Sequence, residues 1–510
     1  MGNEQIKAGS LLSYLQMAIN ILIGLLYTPL MIKLLGQNEY GLYNTVASTI
    51  SMLSILNLGF GSGYIRYYAQ YKVMNDEEAI RKLNGLFIII FGVIALIAMF
   101  CGAYLSTHLG LIFNEGLTAE EYEKAKILMW LLTLNLSISF PMSVFINIIS
   151  AHEQFIFLKL AGMGKTVLSP LLTIPLLLLG YGSIGVVTVT VIVSIIVDCM
   201  YVYYVIFILN QRFKFRGFEA GIFSQLFSYT IFIAINIVID QINWNIDKVI
   251  LARYLGTATV AVYSVGAVLQ TYYNMFSTAI SGVFTPRIHK IVNDIELTVG
   301  QRHSLLTNLF MRVGRIQFMV LTLICSGFVL FGQSFIYLWA GKGYEESYSV
   351  ALLLMIPVTV PLIQNLGIEI QRAENKHQFR SIAYLIMAVA NLIMTFNLCQ
   401  ILGATGAAIG TAISLVVANG VVMNIYYHKQ CGIDVIVFWK SIGHVLLGIL
   451  PAIIIGCVIR HFVFAHTWLQ LIGLLLLYTT IYLVFAWTFS MNTVERNLIS
   501  VPLRKLVQNR

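Results

Sequence analysis

The chain has 510 residues, of which 58% are hydrophobic and only 10% are charged, and its mean hydropathy is +0.83. In soluble domains about a quarter of the residues are charged, so this chain has too few charged residues to cover the surfaces of a soluble protein of this length. Lysines and arginines outnumber aspartates and glutamates by nine, and the six cysteines are scattered without a CxxC pair. Such spacing argues against a metal centre or a disulfide framework.

Fourteen apolar runs are long enough to cross a bilayer, because about 20 helical residues span about 30 Å of hydrocarbon. The first run is too long for the core of a signal peptide, so we expect no cleavable signal. We predict an all-α polytopic membrane protein with fourteen transmembrane helices. The predicted spans are 10–33, 41–65, 84–107, 126–150, 155–179, 184–209, 222–246, 257–284, 312–336, 348–371, 381–402, 406–428, 440–460 and 467–489.

The distribution of basic residues predicts the orientation of these spans. With a cytoplasmic N-terminus, 24 of the 31 lysines and arginines lie nearer the cytoplasmic ends of the spans. Positive charge concentrates in cytoplasmic loops of membrane proteins, and an even number of spans returns the chain to its starting side. We therefore predict that both termini are cytoplasmic, and that topology rather than nucleic-acid binding explains the basic excess.

The two halves of the chain repeat each other. The motif KLLG followed by YGLY at 33–43 matches RYLG followed by VAVY at 253–263, and Pro141 matches Pro361 at the same offset. Each copy holds six spans, so the copies share one orientation, as in transporters whose lobes surround a central cavity. The predicted domains are a six-helix lobe at 1–216, a second six-helix lobe at 217–430, and helices 13 and 14 with a cytoplasmic tail at 431–510.

Three segments carry a family resemblance. The segment DKVILARYLG at 247–256 resembles the signature that opens the second half of polysaccharide exporters in the multidrug/oligosaccharidyl-lipid/polysaccharide superfamily. The segments 29–43 and 402–412 are similar to the N-terminal signature of that family and to its turn between helices 11 and 12. The order and spacing of the helices extend the resemblance over the whole chain.

The resemblance implies a flippase of the bacterial inner membrane. Its substrate would be an undecaprenyl-pyrophosphate-linked oligosaccharide repeat unit of O-antigen or capsule, carried by alternating access between two lobes. Proton or sodium antiport would supply the energy, and membrane lipids would be the other partners of a monomeric transporter. The resemblance implies no enzyme activity and no cofactor, and the MGKT segment at 163–166 lacks the first glycine of a phosphate-binding loop.

Three alternatives remain open from the sequence. A drug/cation antiporter of the same superfamily usually has twelve spans. A peptidoglycan-precursor flippase has fourteen, but the first span here offers Asn20 and Tyr27 instead of an arginine–aspartate pair. A membrane glycosyltransferase or polymerase needs catalytic side chains on substantial loops, and the longest connection, at 285–311, holds only Asp294 and Glu296 as acids.

Charged residues within or near the spans are the candidate functional residues, because charge deep in a bilayer is costly unless it is paired or hydrated. Carboxylates that exchange protons or bind cations are candidates for ion coupling: Asp198, Asp240 and Glu369. Cations that could contact a diphosphate are candidates for substrate binding: Lys33, Arg66, Lys165, Lys248, Arg253, Arg312 and Arg315. No catalytic or metal-binding residue is expected.

Each of these roles competes with a structural one. Lys165 and Asp198 lie deep in sequential antiparallel spans, so we expect them to meet as an ion pair, whether structural or functional. Glu369 and Arg372 are three residues apart on a helix, which favours an intrahelical pair. For basic residues near the ends of spans, topology or contact with lipid headgroups competes with substrate binding.

Overall fold

A computed structural model describes residues 2–113, 117–218, 221–374 and 376–508. These residues form α-helices with short 3-10 and π-helical turns, and none of them lies in a β-strand. The helices are α1 Gly2–Met52, α2 Phe60–Val73, α3 Glu77–Thr107, α4 Ala119–Ala151, α5 Phe155–Leu178, α6 Gly182–Tyr203, α7 Ile222–Leu255, α8 Thr257–Gly282, α9 Thr285–Val292, α10 Val299–Trp339, α11 Glu346–Ile363, α12 Asn365–Ala373, α13 His377–Leu415, α14 Met423–Gln430, α15 Val435–Phe462, α16 Trp468–Phe485 and α17 Thr493–Gln508.

The long apolar helices confirm an all-α polytopic membrane protein. Within the described ranges, ten helical segments have the length and hydropathy to cross a bilayer. Two of them, Leu11–Val73 and Gln378–Gln430, have 63 and 53 residues, more than twice the length of a single crossing. Their helices are broken at Gly36 (φ 75°) and Gly403 (φ 63°), a left-handed conformation that glycine tolerates best. The count of fourteen crossings stays a prediction.

Large apolar side chains cover the outer faces of these helices. Phe100 is 75% exposed in α3, Leu447 is 69% exposed in α15 and Leu469 is 83% exposed in α16. A soluble protein rarely exposes contiguous apolar surface on this scale. Helices whose backbone groups are all paired internally can expose such side chains to lipid, so the distribution fits a bilayer as the surrounding solvent.

Polar residues begin several helices by accepting hydrogen bonds from otherwise unpaired backbone N–H groups. Asp76 caps α3 at the N–H of Ala79, and Asp434 caps α15. Thr118 and Thr298 start α4 and α10 with capping boxes, in which the side chain three residues later accepts a hydrogen bond from the backbone N–H of the cap. These residues set where the helices start in the sequence.

The chain divides into two compact units. Unit 1 contains Met1–Ser264 and Leu392–Ala407, and unit 2 contains Val265–Asn391 and Ala408–Arg510. In unit 1, an aromatic core joins α2, α3 and α4 through Tyr64, Phe87 and Phe140, which are at most 3% exposed. In unit 2, α15 and α16 pack against α10. The lobe boundaries expected from the sequence repeat stay a prediction.

Candidate functional site

The repeated motif has the same backbone conformation in both of its copies. Gly36 has φ 75° and ψ 171°, and Gly256, at the matching position of the second copy, has φ 83° and ψ 175°. Both glycines interrupt a helix in a region of φ that residues with a Cβ atom rarely adopt. At this turn the two halves therefore repeat each other in backbone conformation as well as in sequence.

Gly41 lies five residues beyond the first of these turns, where the two copies touch within unit 1. A Cβ atom on Gly41 would lie 1.8 Å from the carbonyl oxygen of Thr257 at the start of α8. Gln37 also donates a hydrogen bond of 3.5 Å to the carbonyl oxygen of Ala258. The absence of a side chain at residue 41 is what permits this close approach of the two backbones.

A buried carboxylate lies in the second copy. Asp247 in α7 is 0% exposed and accepts hydrogen bonds from the hydroxyl of Tyr263 at 2.6 Å and of Thr395 at 3.1 Å. The three side chains come from α7, α8 and α13, so they fix the packing of three helices in unit 1. We refer to Asp247, Tyr263 and Thr395 as the Asp247 cluster.

The first copy holds a similar cluster with a phenol in place of the carboxylate. Tyr27 occupies the repeat position that corresponds to Asp247, and its hydroxyl forms a hydrogen bond with Thr173, which lies near the position that corresponds to Thr395. Tyr43, the repeat partner of Tyr263, lies near Tyr27. The two halves therefore share the positions of this polar contact, but only the second half carries an ionisable carboxylate there.

Two predicted substrate-binding cations flank the Asp247 cluster. Lys248 is partly buried in α7 and lies close enough to Asp247 for a direct electrostatic interaction. Arg253, near the end of the same helix, donates a hydrogen bond to the carbonyl oxygen of Leu111. Arg253 thus joins α7 to the short connection between α3 and α4, while Lys248 balances the charge of the carboxylate.

Lys165 and Asp198 interact over a longer distance than the sequence leads us to expect. Lys165 is exposed in α5, Asp198 is partly exposed in α6, and the two interact electrostatically. Among the described residues, the ion pairs within 4.0 Å do not include this one. The close ion pair predicted from the sequence is therefore not found among the described residues.

Four other predicted residues lie apart from the Asp247 cluster. Lys33 and Arg66 are exposed in α1 and α2, and Asp240 is exposed in α7, two helical turns before Asp247. Arg312 in α10 is partly buried, and its Nε atom is a buried donor with no partner in the structure. Their roles in substrate binding and ion coupling stay predictions.

Arg315 is hydrogen-bonded to protein groups through its whole guanidinium. Its guanidinium donates to both carboxylate oxygens of Glu495, at 2.6 and 2.9 Å, and to the carbonyl oxygen of Ser490 at 2.8 Å. Two more hydrogen bonds, at 3.3 and 3.0 Å, go to the carbonyl and hydroxyl oxygens of Ser441. All five donors of the side chain are used, so this geometry gives Arg315 a structural role and leaves no donor for a phosphate.

Glu369 pairs with Arg372 on α12. The Oε1 atom of Glu369 lies 2.7 Å from Nη1 of Arg372, at a separation of three residues. The intrahelical pair predicted from the sequence is confirmed. Arg372 is 62% exposed and Glu369 is 23% exposed, so the pair is only partly enclosed by protein.

A surface cavity that sequence reasoning missed lies beside the turn at Gly36. Its volume is about 510 Å³, and its wall includes Glu39 and Lys124. Glu39 accepts hydrogen bonds from the backbone N–H and the hydroxyl of Ser183, at 2.6 and 2.7 Å, and pairs with Lys124 at 3.2 Å. The carboxylate thereby ties α1 to the first turns of α4 and α6. The YGLY repeat could have drawn attention to this turn, but not to its partners.

Sequence reasoning also gave too little weight to Asp247. The repeat register was the available signal, because it aligns Asp247 with Tyr27 and so marks a polar position inside the spans of both halves. Among the described residues, the histidine, cysteine and acidic side chains form no group of three or more that could hold a metal ion.

The sequence and the structure both resemble known proteins. Residues 6–292 match the family described as "Polysaccharide biosynthesis protein". The chain belongs to this family. Over 212 residues it is 26% identical to the capsular polysaccharide biosynthesis protein CapF of Staphylococcus aureus. The match covers 41% of the chain and only 50% of CapF, so it spans half the length of that curated relative.

The fold of the chain is similar to the folds of two solved transporter structures. The lipid II flippase MurJ, in an inward closed conformation, is similar with a TM-score of 0.70 and 17% identity, over 96% of this chain and 99% of MurJ. An inward-facing multidrug resistance transporter of the MATE family is similar with a TM-score of 0.61 and 15% identity, over 84% of this chain and 99% of that chain. At these identities the likeness shows the fold.

Proposed function

We propose that this chain is a flippase of the bacterial inner membrane that moves undecaprenyl-pyrophosphate-linked oligosaccharide repeat units for O-antigen or capsule assembly. Family membership carries the proposal, because the matching family is that of polysaccharide biosynthesis proteins. The lobes would alternate in opening to the two faces of the membrane, and both termini would be cytoplasmic. The glycan and diphosphate would cross inside the protein while the lipid tail stayed in the bilayer.

The extent of the structural likeness favours a flippase over a drug exporter. The likeness to the lipid II flippase covers 96% of the chain, whereas the likeness to the drug transporter covers 84%. A flippase also calls for cations that can contact a diphosphate, and arginine and lysine supply charge-assisted hydrogen bonds to phosphate oxygens. Lys33, Arg66 and Lys165 are exposed, and Lys248, Arg253 and Arg312 are partly exposed, so we retain these six as substrate contacts.

Ion coupling rests on the carboxylates of the spans. Asp198 and Asp240 are not enclosed by protein, as an exchangeable site requires, whereas Asp247 is buried and hydrogen-bonded. Glu369 is already paired with Arg372 and is the weakest candidate of the predicted three. We propose that proton or sodium antiport drives transport through Asp198 or Asp240.

Reconstitution tests the proposal directly. The purified chain is placed in liposomes with a fluorescent undecaprenyl-pyrophosphate oligosaccharide, and an impermeant glycosidase reports the fraction of glycan on the outer leaflet. We expect protein-dependent exchange between the leaflets that accelerates under a proton or sodium gradient. Lys165→Gln should slow the exchange, and Lys440→Gln, a substitution of a cation on α15, serves as the matched control.

Two outcomes would contradict the proposal. Release or elongation of the glycan by the protein alone would identify a glycosyltransferase or polymerase. Exchange of a cationic drug without exchange of the glycolipid would identify a drug antiporter. A parallel arm with lipid II tests the second candidate, a peptidoglycan-precursor flippase, which the TM-score of 0.70 against MurJ favours.

A further inference from the structure

Three rows of residues along the last helix, α17, differ in chemistry. Thr493, Asn497, Ser500 and Arg504 follow one another at spacings of four, three and four residues, which places them along one polar face. Glu495, Ile499, Pro502 and Leu506 have the same spacings nearly half a turn away, and Val494, Leu498, Val501 and Lys505 form a row between these two faces, about 100° from each. A helix that packs on a protein and otherwise meets water needs only one apolar face.

The face that carries Glu495 is held by the protein. Glu495 is 3% exposed and forms the bidentate pair with Arg315 of α10. Asn492 caps the helix, since its side chain accepts from the N–H of Glu495 and its own N–H donates to the Glu495 carboxylate, both at 2.8 Å. Arg496 donates to the carbonyl oxygen of Thr488 at the end of the preceding span. The start of α17 is therefore fixed at the end of that span.

The face that carries Leu498 is left uncovered. Val494, Leu498 and Val501 are 47%, 49% and 46% exposed. Exposed apolar residues at these spacings are typical of interfacial helices, whose apolar face enters the boundary between the headgroups and the acyl chains.

The charge of the segment indicates what covers this face. Glu495 is the only acid from residue 493 to the C-terminus, and it is neutralised by Arg315, whereas Arg504, Lys505 and Arg510 carry positive charge. Only Met491 and Asn492 separate α17 from the candidate span Trp468–Ser490, so the helix starts at the membrane surface. Anionic lipids concentrate in the cytoplasmic leaflet, where the predicted topology puts the C-terminus.

We propose that α17 is an interfacial helix whose Val494–Leu498–Val501 face inserts at the headgroup boundary of the cytoplasmic leaflet and whose Lys505, the next residue in that row of the sequence, binds anionic lipid headgroups. The polar Thr493–Asn497 face is turned to the cytosol. The Arg315–Glu495 pair transmits this attachment to α10, so the lipid-bound helix is part of unit 2 rather than a loose tail. This function is independent of the transported substrate.

The test uses the full chain in nanodiscs with a genetically encoded fluorescent amino acid at residue 498, or at residue 497 as the matched control. In discs that mix phosphatidylcholine with phosphatidylglycerol, we expect dibrominated lipid to quench the probe at 498 and aqueous iodide to quench the probe at 497. Iodide reaching both probes equally would overturn the proposal. A probe at 498 that is shielded from both quenchers would also overturn it, because a second copy or another protein surface would then cover the face.

A charge series that needs no probe in the apolar face tests the lipid preference. Each basic residue near an anionic surface contributes about fivefold in binding, so Lys505→Gln should weaken docking of α17 about fivefold in the mixed discs. Arg504→Gln, on the polar face, is the matched control and should have a smaller effect. Hydrogen exchange of the α17 amides reports docking, with the amides of α16 as the internal reference. Lys505→Gln should have no effect in discs of pure phosphatidylcholine. Equal protection in both lipids for the unsubstituted chain would refute a role for anionic headgroups.

Discussion

The buried pair of Arg315 and Glu495 leads to the sharpest prediction about stability. Glu495→Ala removes two of the five hydrogen bonds of the guanidinium and leaves its charge 6% exposed beside the backbone oxygen of Ser490 and the oxygens of Ser441. Breaking a buried pair on one side costs about 3–5 kcal/mol, because the remaining charge stays desolvated. Three hydrogen bonds survive, so we expect a loss of about 3 kcal/mol in the free energy of unfolding, at the low end of that range.

Replacement of both partners distinguishes the destabilisation by an unpaired buried charge from the net contribution of the ion pair to stability. Arg315→Met combined with Glu495→Leu removes both charges and keeps apolar volume, a change that is neutral or stabilising by about 1–4 kcal/mol in other buried pairs. We therefore expect the double variant to be more stable than either single variant. A coupling energy of about 2 kcal/mol or more should appear in the double-mutant cycle.

The assay is reversible unfolding in mixed micelles, followed by tryptophan fluorescence over a denaturant series. The exposed pair of Glu369 and Arg372 provides the matched control, since hydrated pairs contribute about 0.2–1 kcal/mol. Equal, small and additive losses at both pairs would refute the reasoning. They would mean that water reaches Arg315 in solution.

Three further predictions follow from local geometry. Gly41→Ala should lower the free energy of unfolding by about 1–3 kcal/mol, because the added Cβ atom would collide with the backbone at the start of α8. Gly164→Ala is the control and should not destabilise the protein, since there is open space around its Cβ position. Equal effects of the two substitutions would contradict the close packing at Gly41. Asp247→Ala should cost about 1–3 kcal/mol, because it leaves a buried hydroxyl without its acceptor, and calorimetry against the exposed Glu123→Ala would detect it. Burial lowers the pKa of His152 below its usual 6.5, so the unfolded chain binds the proton first and thermal stability should fall as the pH drops below that value. His152→Gln should flatten this slope, and an unchanged slope would assign it to other groups.

The composition and the repeat made most of the fold predictable. A chain with 10% charged residues and long apolar runs has few architectures open to it, because every backbone polar group must be paired inside a bilayer. The pair of Glu369 and Arg372 could equally be predicted from the sequence, since residues three apart on a helix share a face. The repeat also aligned the turns at Gly36 and Gly256, whose backbone angles agree.

The partners of isolated charges could not be read from the sequence. Arg315 was expected to contact substrate, but its carboxylate lies 180 residues further along the chain in a terminal helix. Lys165 and Asp198 were expected to pair because their helices are sequential, yet their rotation about the helix axes leaves both partly or fully exposed. Such contacts depend on how helices rotate and pack, and no local pattern encodes that.

The sequence by itself therefore determined that this is a membrane protein, that it is helical, that its halves repeat and to which family it belongs. These properties depend on composition, periodicity and local motifs. Only the tertiary structure decided which charged side chains are bonded to other protein groups. It assigned Arg315 to Glu495, enclosed Asp247 between Tyr263 and Thr395, and left Lys165 exposed. The reason is physical: the cost of a charge in a membrane protein depends on the atoms that surround it, and those atoms come from distant parts of the chain.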